Sequence, residues 1–491
     1  MASLQKEYDD IKLDGRIYTP EHIVKKMLDD LDFKNSSILG KKILDPACGD
    51  GRFLCEVAKR IIEFSSKEDL VKNLKCIFGL DKNRESVREC KDNLNELIKD
   101  LDIKIEWNIK CCNSLQQKYP YYFDFIVANP PYVRIQHMLE EDRKFLQDNF
   151  KYCKKGATDL YIAFFELSLR MLKNDGKCAF ITPNSFFSTQ TAQIMRDDFA
   201  KKKHISKIIN YNEIQIFENA STYSAITYFD KKKNNTFIYQ KALTIDTFKE
   251  IELKLSDIQM GGFWSFSFDI DKKKTDTKLG DICSIYTGIA TLSDSVYIMS
   301  VVEEKEDTII LKSSNVGNVE IEKSILKPSI KASKYKNADD PITSYAIFPY
   351  VQVNNKSVII SEDDLQNNYP LAYNYLLSVK HLLDKRDNGK PNPISWYAFG
   401  RTQALDTCFG EKIIFSPINN KPNFIKCNRE DAIFYSGYAI KYKGDYDKLL
   451  SVLNSSRMMQ FVEESARDYR SGWKCYSKSI IQHFPIDLSE I

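Results

Sequence analysis

From residue 41 to about residue 230, short apolar runs alternate with longer stretches whose apolar positions recur every three or four residues. "KKILDPACGDG" reads as a strand ending in a glycine turn, "RFLCEVAKRIIEF" as a helix, "KCIFGLD" as a strand and "NRESVRECKDNLNELIKDL" as a helix. "IKIEWNI" and "FDFIVANPPY" follow as strands, "DLYIAFFELSLRMLKNDG" as a helix closed by Gly176, and "KCAFITPNSFF" as a further strand. Strands separated by helices form βαβ units, so the pattern predicts an α/β fold, a doubly wound parallel sheet covered on both faces. Such sheets take ligands where loops leave the C-terminal ends of strands. The candidate motifs of the first half all fall there.

The alternation fades over residues 231–280, rich in lysine and threonine, and this stretch reads as the crossing to a second domain. The expected divisions are 1–240, 241–275 and 276–491. Beyond the crossing, short strands, turns and isolated helices such as "YDKLLSVLNSSRMMQFVEESA" predict a mixed α+β domain. At 491 residues and 43% hydrophobic, the chain is long enough for two cores. It has no apolar run of about 18 residues and no apolar centre in "MASLQKEYDDIKLDGR", so a soluble, cytoplasmic protein is expected. Its 12 cysteines are scattered without a CxxC pair and its five histidines lie far apart. Neither a disulfide framework nor a metal site is expected. The net charge of +3 decides nothing about a polyanionic partner. Lysine runs at 201–203, 231–233 and 272–274 read as solvated faces.

"ILDPACGDGRFL", Ile43 to Leu54, follows a strand and opens a helix. Gly49 and Gly51 permit a tight turn and close approach of backbone to a ligand, while Asp45 and Asp50 add negative charge beside it. Two carboxylates repel a pyrophosphate and accommodate a nucleoside that carries an amino acid and a sulfonium cation. The next strand, "CIFGLD", delivers Asp81 to the position from which an acid takes ribose hydroxyls in such sheets. A glycine turn alone is a weak signal; Asp81 and the strand order strengthen it.

With "NPPY" downstream at 129–132 and "GRIYTPEHIVKKML" upstream, the chain resembles the gamma-class S-adenosylmethionine-dependent DNA amino-methyltransferases of restriction-modification systems. The resemblance runs over about residues 14–230 and more diffusely beyond. It implies a Rossmann-like methyltransferase sheet, S-adenosyl-L-methionine as cofactor, double-stranded DNA as partner and the N6 amine of a flipped adenine as target. It also implies that Tyr18 and Thr19 hold the cofactor's methionine end, that Asp45, Ala47 and Gly49 line its pocket with Asn129 at its border, and that Asp81 binds the ribose. Where the family carries an acid after the third strand to accept from the cofactor's adenine amine, this chain has Asn113, a weaker acceptor. Asp159, Leu160 and Tyr161 resemble a motif behind the cofactor; the other aromatics of that helix read as core.

Adenine's exocyclic amine is a poor nucleophile because its lone pair is delocalised into the ring. A transfer site must draw that nitrogen towards tetrahedral geometry. The side-chain oxygen of Asn129 and the main-chain oxygen of Pro130 suit its two N–H bonds, with Pro130 and Pro131 restricting φ so that the carbonyl is aimed in advance. No metal is required. Tyr132 offers a flat face for a base taken out of the duplex. By resemblance Phe217, with Tyr223 nearby, matches the aromatic on the base's other side. Without the strand and glycine loop before it, Asn-Pro-Pro-Tyr would read as an ordinary turn.

In the second half, "LGDICSIYTGIATLSDSVYIM", "SYAIFPYV", "ISWYAFGRTQ" and "CYSKSIIQHFPI" resemble, in order over about residues 279–486, segments of target-recognition domains. Arg401, Lys474 and Lys478 are candidate DNA contacts, although a surface cation is more often simply solvated. About a dozen residues precede the first motif, so no fused nuclease is expected; a separate cognate endonuclease stays open, and a monomer on DNA is expected. The same tetrapeptide serves compact enzymes that methylate a release-factor glutamine or ribosomal RNA bases, and the long C-terminal region favours DNA. Cytosine N4 transfer uses the same acceptors, and Asn rather than Ser at position 129 favours adenine. A non-catalytic DNA-specificity subunit would need decayed motifs, and these are intact.

Overall fold

The computed structural model describes residues 18–491 other than 155–157, 213, 218–222, 259–261, 265, 267, 269–276, 355 and 466–471. The start of "GRIYTPEHIVKKML" and the lysines at 272–274 lie outside the described residues. The chain divides into two compact units, Met1–Phe268 and Asp269–Ile491.

The first unit is built on nine strands: β1 Ile43–Asp45, β2 Ile77–Asp81, β3 Asn108–Cys111, β4 Phe123–Ala128, β5 Leu172–Pro183, β6 Ile205–Asn210, β7 Ser224–Asp230, β8 Thr236–Ala242 and β9 Phe248–Lys254. They form one sheet in the order β3-β2-β1-β4-β5-β7-β6-β8-β9. Strands β1 to β5 are parallel, as the spacing predicts, whereas β7 runs antiparallel between β5 and β6. The chain winds one way from β1 to β3 and the other way from β4, so the crevice at the ends of β1 and β4 is the topological switch point.

Among the described residues six helices of ten or more residues cover this sheet: α1 Glu21–Asp30, α2 Arg52–Phe64, α3 Arg84–Ile98, α4 Glu140–Asn149, α5 Tyr161–Met171 and α6 Gln193–Lys202. Alternation along each strand sends neighbours to opposite faces. Val127, Ala179, Ile181 and Ile226 join an apolar cluster with α1, α2 and α3. Ile126, Ala128, Cys178, Phe180 and Phe229 join the other, with α5 and α6. Most of helix α5 is buried, as its largely apolar sequence requires.

Three boundaries differ from the sequence reading. Helix α5 ends at Met171, and β5 begins at Leu172 with a register shift against β4 between Phe123 and Phe125, so "LKNDG" belongs to the strand. Gly176 packs so close that a Cβ would stand 2.9 Å from Leu172 Cδ1 and 3.0 Å from Asp124 O. Strand β3 starts late, at Asn108, after Trp107, whose indole donates to Asn95 Oδ1 at 2.8 Å. Residues 241–254, read as crossing segment, complete β8 and form β9. β9 is the sheet edge and alternates only between half-buried and exposed, which is why its polar side chains hide the strand pattern.

The second unit mixes strands and helices, with a six-stranded sheet, a four-stranded sheet and two short ladders. The helical run beginning at Tyr446 is two helices, Tyr446–Leu453 and Ser456–Ser465. Asn454 leaves the helix between them to bind the backbone of Phe424, accepting from its N–H and donating to its carbonyl, each at 2.9 Å. Among the described residues no helix is long and apolar enough to cross a membrane.

Candidate active site

The glycine loop leaves β1 at Asp45, which is 1% exposed. Its Oδ1 accepts the Ala47 N–H at 2.9 Å. Burial, more than the nearby carboxylates of Asp81 and Asp50, pushes the Asp45 carboxyl up to about 8. Gly49 and Gly51 both take left-handed conformations, at φ 51° and 87°. Gly51 caps α2 against α3: a Cβ there would stand 2.6 Å from Cys90 Sγ and 3.3 Å from Cys90 Cα.

Asp81 ties the loops after β1 and β2 together. Its Oδ2 accepts the Gly49 N–H at 3.0 Å and its Oδ1 the Asn83 N–H at 2.8 Å. Asn83 in turn caps α3 by accepting from Glu85 and Ser86 N–H at 2.9 and 3.0 Å. After β3, Asn113 Oδ1 accepts the Leu115 N–H at 3.1 Å. The one strong acceptor on Asn113 therefore already serves its own turn.

These loops surround a cavity of about 210 Å³. Ala47 and Gly49 come from the first loop, Asp81, Lys82 and Asn83 from the second, Asn113 to Leu115 from the third, and Asn129 and Pro131 from the end of β4. Met138, Phe145, Leu146, Leu160 and Phe164 add an apolar wall. Tyr18 also lines the cavity, 45% exposed, with the Arg52 guanidinium 4.7 Å from its ring centroid. Asp45 and Thr19 do not line it; both are buried behind it, Asp45 under the glycine loop and Thr19 against Asn129.

Asn129 is held from two sides. Its Nδ2 donates to Thr19 Oγ1 at 3.1 Å, and its Oδ1 accepts from the Tyr132 hydroxyl at 2.5 Å. That hydroxyl is also 3.2 Å from the carbonyl of Ile181 on β5. Tyr132 packs edge-on to Tyr161 at 6.1 Å and is not among the residues that line the cavity. Burial raises its phenol well above the ordinary range, so it stays a neutral donor. Pro130 is buried beside it. The loop after the tetrapeptide is pinned by the segment before α5: Ile135 N–H donates to Thr158 O at 2.9 Å and Leu160 N–H to Val133 O at 2.7 Å. Residues 158–160 therefore brace the loop after the tetrapeptide, and Leu160 also lines the cavity.

Phe217 is 2% exposed and lies in the cluster with Val127, Ile209 and Ile226, away from the cavity lining. The residues after it, 218–222, are outside the described set. Sequence reasoning missed Asn83, although an Asn just before a helix is a legible cap, and missed Phe145 and Phe164, whose aromatic spacing is indistinguishable from core.

In the second unit, Arg401 makes a two-pronged exposed pair with Asp387 at 2.6 and 2.9 Å. Its main-chain N–H donates to Ala290 O at 3.1 Å, placing it beside residues 287–294, which line a hollow of about 480 Å³. Lys474 lies on a short strand paired with Ile418–Asn419, and Lys478 starts the helix Lys478–Ile481. Among the described residues no group of three or more His, Cys, Asp or Glu side chains could hold a metal ion.

Residues 59–217 match the family described as the Eco57I restriction-modification methylase. The type II restriction enzyme and methyltransferase RM.Eco57I of Escherichia coli is 26% identical, the alignment covering 82% of this chain and 49% of that protein. The type II methyltransferase M.BanIII of Aneurinibacillus aneurinilyticus is 26% identical, covering 84% of this chain and 77% of that protein. The chain spans about half the length of RM.Eco57I. Among solved structures, the type IIL restriction-modification enzyme MmeI in complex with DNA aligns with a TM-score of 0.59 at 14% identity, over 98% of this chain and 65% of that one, a likeness of fold.

Proposed function

By sequence the chain is a relative of the type II restriction-modification methyltransferases, and from that premise we propose that it transfers a methyl group from S-adenosyl-L-methionine to the N6 amine of an adenine flipped out of double-stranded DNA. The observation that carries this reading is the clamped amide of Asn129, which borders the same cavity as the glycine loop and Asp81. The cavity fits such a cofactor: apart from Gly49 and its chain neighbours, no atom lies within 4 Å of where a Cβ on Gly49 would stand, so a ligand can reach the main chain of the loop. Tyr18, Ala47 and Gly49 would border its amino-acid end, Asp81 its ribose, and the apolar wall its adenine. The bound cofactor supplies an electrophilic methyl on a sulfonium.

The chain's own part is to make the amine reactive. Asn129 Oδ1 and the Pro130 carbonyl accept its two N–H bonds, aligned before the base arrives. For its ring to stack on the base, the Tyr132 phenol would release Asn129 Oδ1 and swing towards the cavity. Tyr132→Phe, which removes only the hydroxyl, is expected to keep transfer to unmethylated plasmid DNA within a few-fold of wild type. Tyr132→Ala is expected to lose roughly 5- to 150-fold, the equivalent of about 1–3 kcal/mol of stacking. Equal losses in single-turnover rates of the two variants would count against the exchange.

Asp45 acts beneath the loop and makes stability depend on pH. Its folded pKa, about 8, lies above the ordinary 3.8, so the folded chain holds a proton that the unfolded chain releases. That contribution is whole below about pH 4 and is lost as pH rises through 8. Asp45→Asn keeps an acceptor for Ala47 N–H and never charges. Its thermal midpoint is expected to fall less than that of wild type between pH 6 and 9, roughly the range over which the carboxyl ionises; parallel curves would refute this role.

We read the second unit as the body that recognises the DNA, with Arg401, Lys474 and Lys478 as contacts. MmeI, one structural neighbour, was solved in complex with DNA. Releasing Arg401 from Asp387 would free its guanidinium for phosphate or a base edge.

A further inference from the structure

Helix α4 lends the cavity one face, made of Asp142 with Phe145 and Leu146, three and four residues on. Two of these side chains are apolar, as a wall for a flat heterocycle should be. The third is a half-buried carboxylate, and among the described residues it has neither a hydrogen bond nor an ion pair. The acceptors on the neighbouring loops already serve the main chain: Asp81 accepts from Gly49 and Asn83, and Asn113 from Leu115. An acid in the first turn of a helix has an ordinary explanation, attraction to the positive end of the helix dipole. Glu140 and Glu141 serve that purpose from exposed positions in the same turn, and neither lines the cavity. Asp142 differs from them in lying on the apolar wall. A ligand that fills the cavity would strip water from its carboxylate, which is costly unless the ligand brings a donor. Of the parts of S-adenosyl-L-methionine, the one suited to an apolar wall is adenine, and adenine's donor is its exocyclic amine.

We propose that Asp142 is a specificity-determining residue for the cofactor, its carboxylate accepting an N–H of the adenine amine. This rests on the reading of the cavity as an S-adenosyl-L-methionine site. The chain then tells adenine from a purine without that amine by a residue of α4, in the segment that follows the tetrapeptide.

The test is a cycle of two deletions, read by titration calorimetry on the full chain without DNA. One deletion is in the ligand: S-adenosyl-L-homocysteine is compared with the analogue that carries purine in place of adenine, and so lacks the amine. The other is Asp142→Ala, which removes the carboxylate. Wild type is expected to bind the adenine compound roughly tenfold or more tighter than the purine compound, the worth of a hydrogen bond to a charged group. Asp142→Ala should lose that preference through weaker binding of the adenine compound. Its affinity for the purine compound should be no lower than that of wild type, which also reports that the variant is folded. Glu141→Gln, in the same helical turn but off the cavity, should keep the preference. A preference that survives in Asp142→Ala, or that is lost in Glu141→Gln as well, would overturn the assignment. A wild type that binds the two compounds alike would overturn it too, and leave the cofactor reading standing. A wild type that binds neither S-adenosyl-L-homocysteine nor S-adenosyl-L-methionine would remove the reading beneath it, and the inference with it.

Discussion

Asn129→Ala is expected to lower methyl transfer by on the order of 10²–10³-fold or more while leaving the fold and cofactor affinity nearly intact. The first figure follows from removing one preorganised hydrogen-bonding group that acts on the reacting centre in a site sheltered from water. The second follows from the position of the residue. Asn129 lies just past the end of β4, half-buried, and among its partners are two hydroxyls, Thr19 Oγ1 and the Tyr132 phenol, that can re-pair with water let in by the truncation. Single-turnover transfer at saturating cofactor and calorimetric cofactor binding separate the two effects. A variant that retained most of the wild-type rate would show that the amide is not the acceptor. One that lost rate and cofactor affinity together would assign Asn129 to the cofactor instead.

Gly51→Ala is expected to be the most damaging single change to the fold of the first unit. Two penalties add there. The backbone stands at φ 87°, where an L residue loses about 1–2 kcal/mol. The new methyl would also press on Cys90, on its main chain as well as its sulfur, so overpacking adds about 1–3 kcal/mol. Gly49→Ala is the matched control, since it has the same sign of φ, at 51°, but open space where the Cβ would stand. Thermal unfolding should therefore place Gly51→Ala well below Gly49→Ala, which pays only for its backbone. Comparable midpoints would mean that α2 and α3 can separate at Cys90 without loss, and the close packing of the loop would not matter to stability.

How far the sequence could be read depended on how local each feature is. The glycine loop, Asp81 and the tetrapeptide each sit at the end of a short apolar strand, so pattern and turn chemistry were enough to place them at one edge of a parallel sheet. Strand β7 runs opposite to its neighbours, and nothing in "SAITYFD" states direction. Strand β9 was hidden because an edge strand with one wetted face carries the lysines and glutamates of a loop. The Gly176 boundary was misplaced because a glycine that closes a helix and one that lets β5 press on β4 look alike in a string of letters. Within the site, the Asn129 amide was legible from its motif, but its grip on Thr19 joins positions that no local pattern connects. The placement of Tyr132 and the burial of Phe217 are likewise tertiary facts, set by where Ile181, Tyr161 and the α1 side of the sheet offer partners.

Sequencing the modified bases of genomic DNA, from a methylation-free host expressing this chain or its Asn129→Ala form, tests the central claim most directly. The account predicts N6-methyladenine at one recurring DNA word with the wild-type chain and its disappearance with the variant. Unmodified DNA in both hosts, or a mark that survives the loss of that amide, would contradict it.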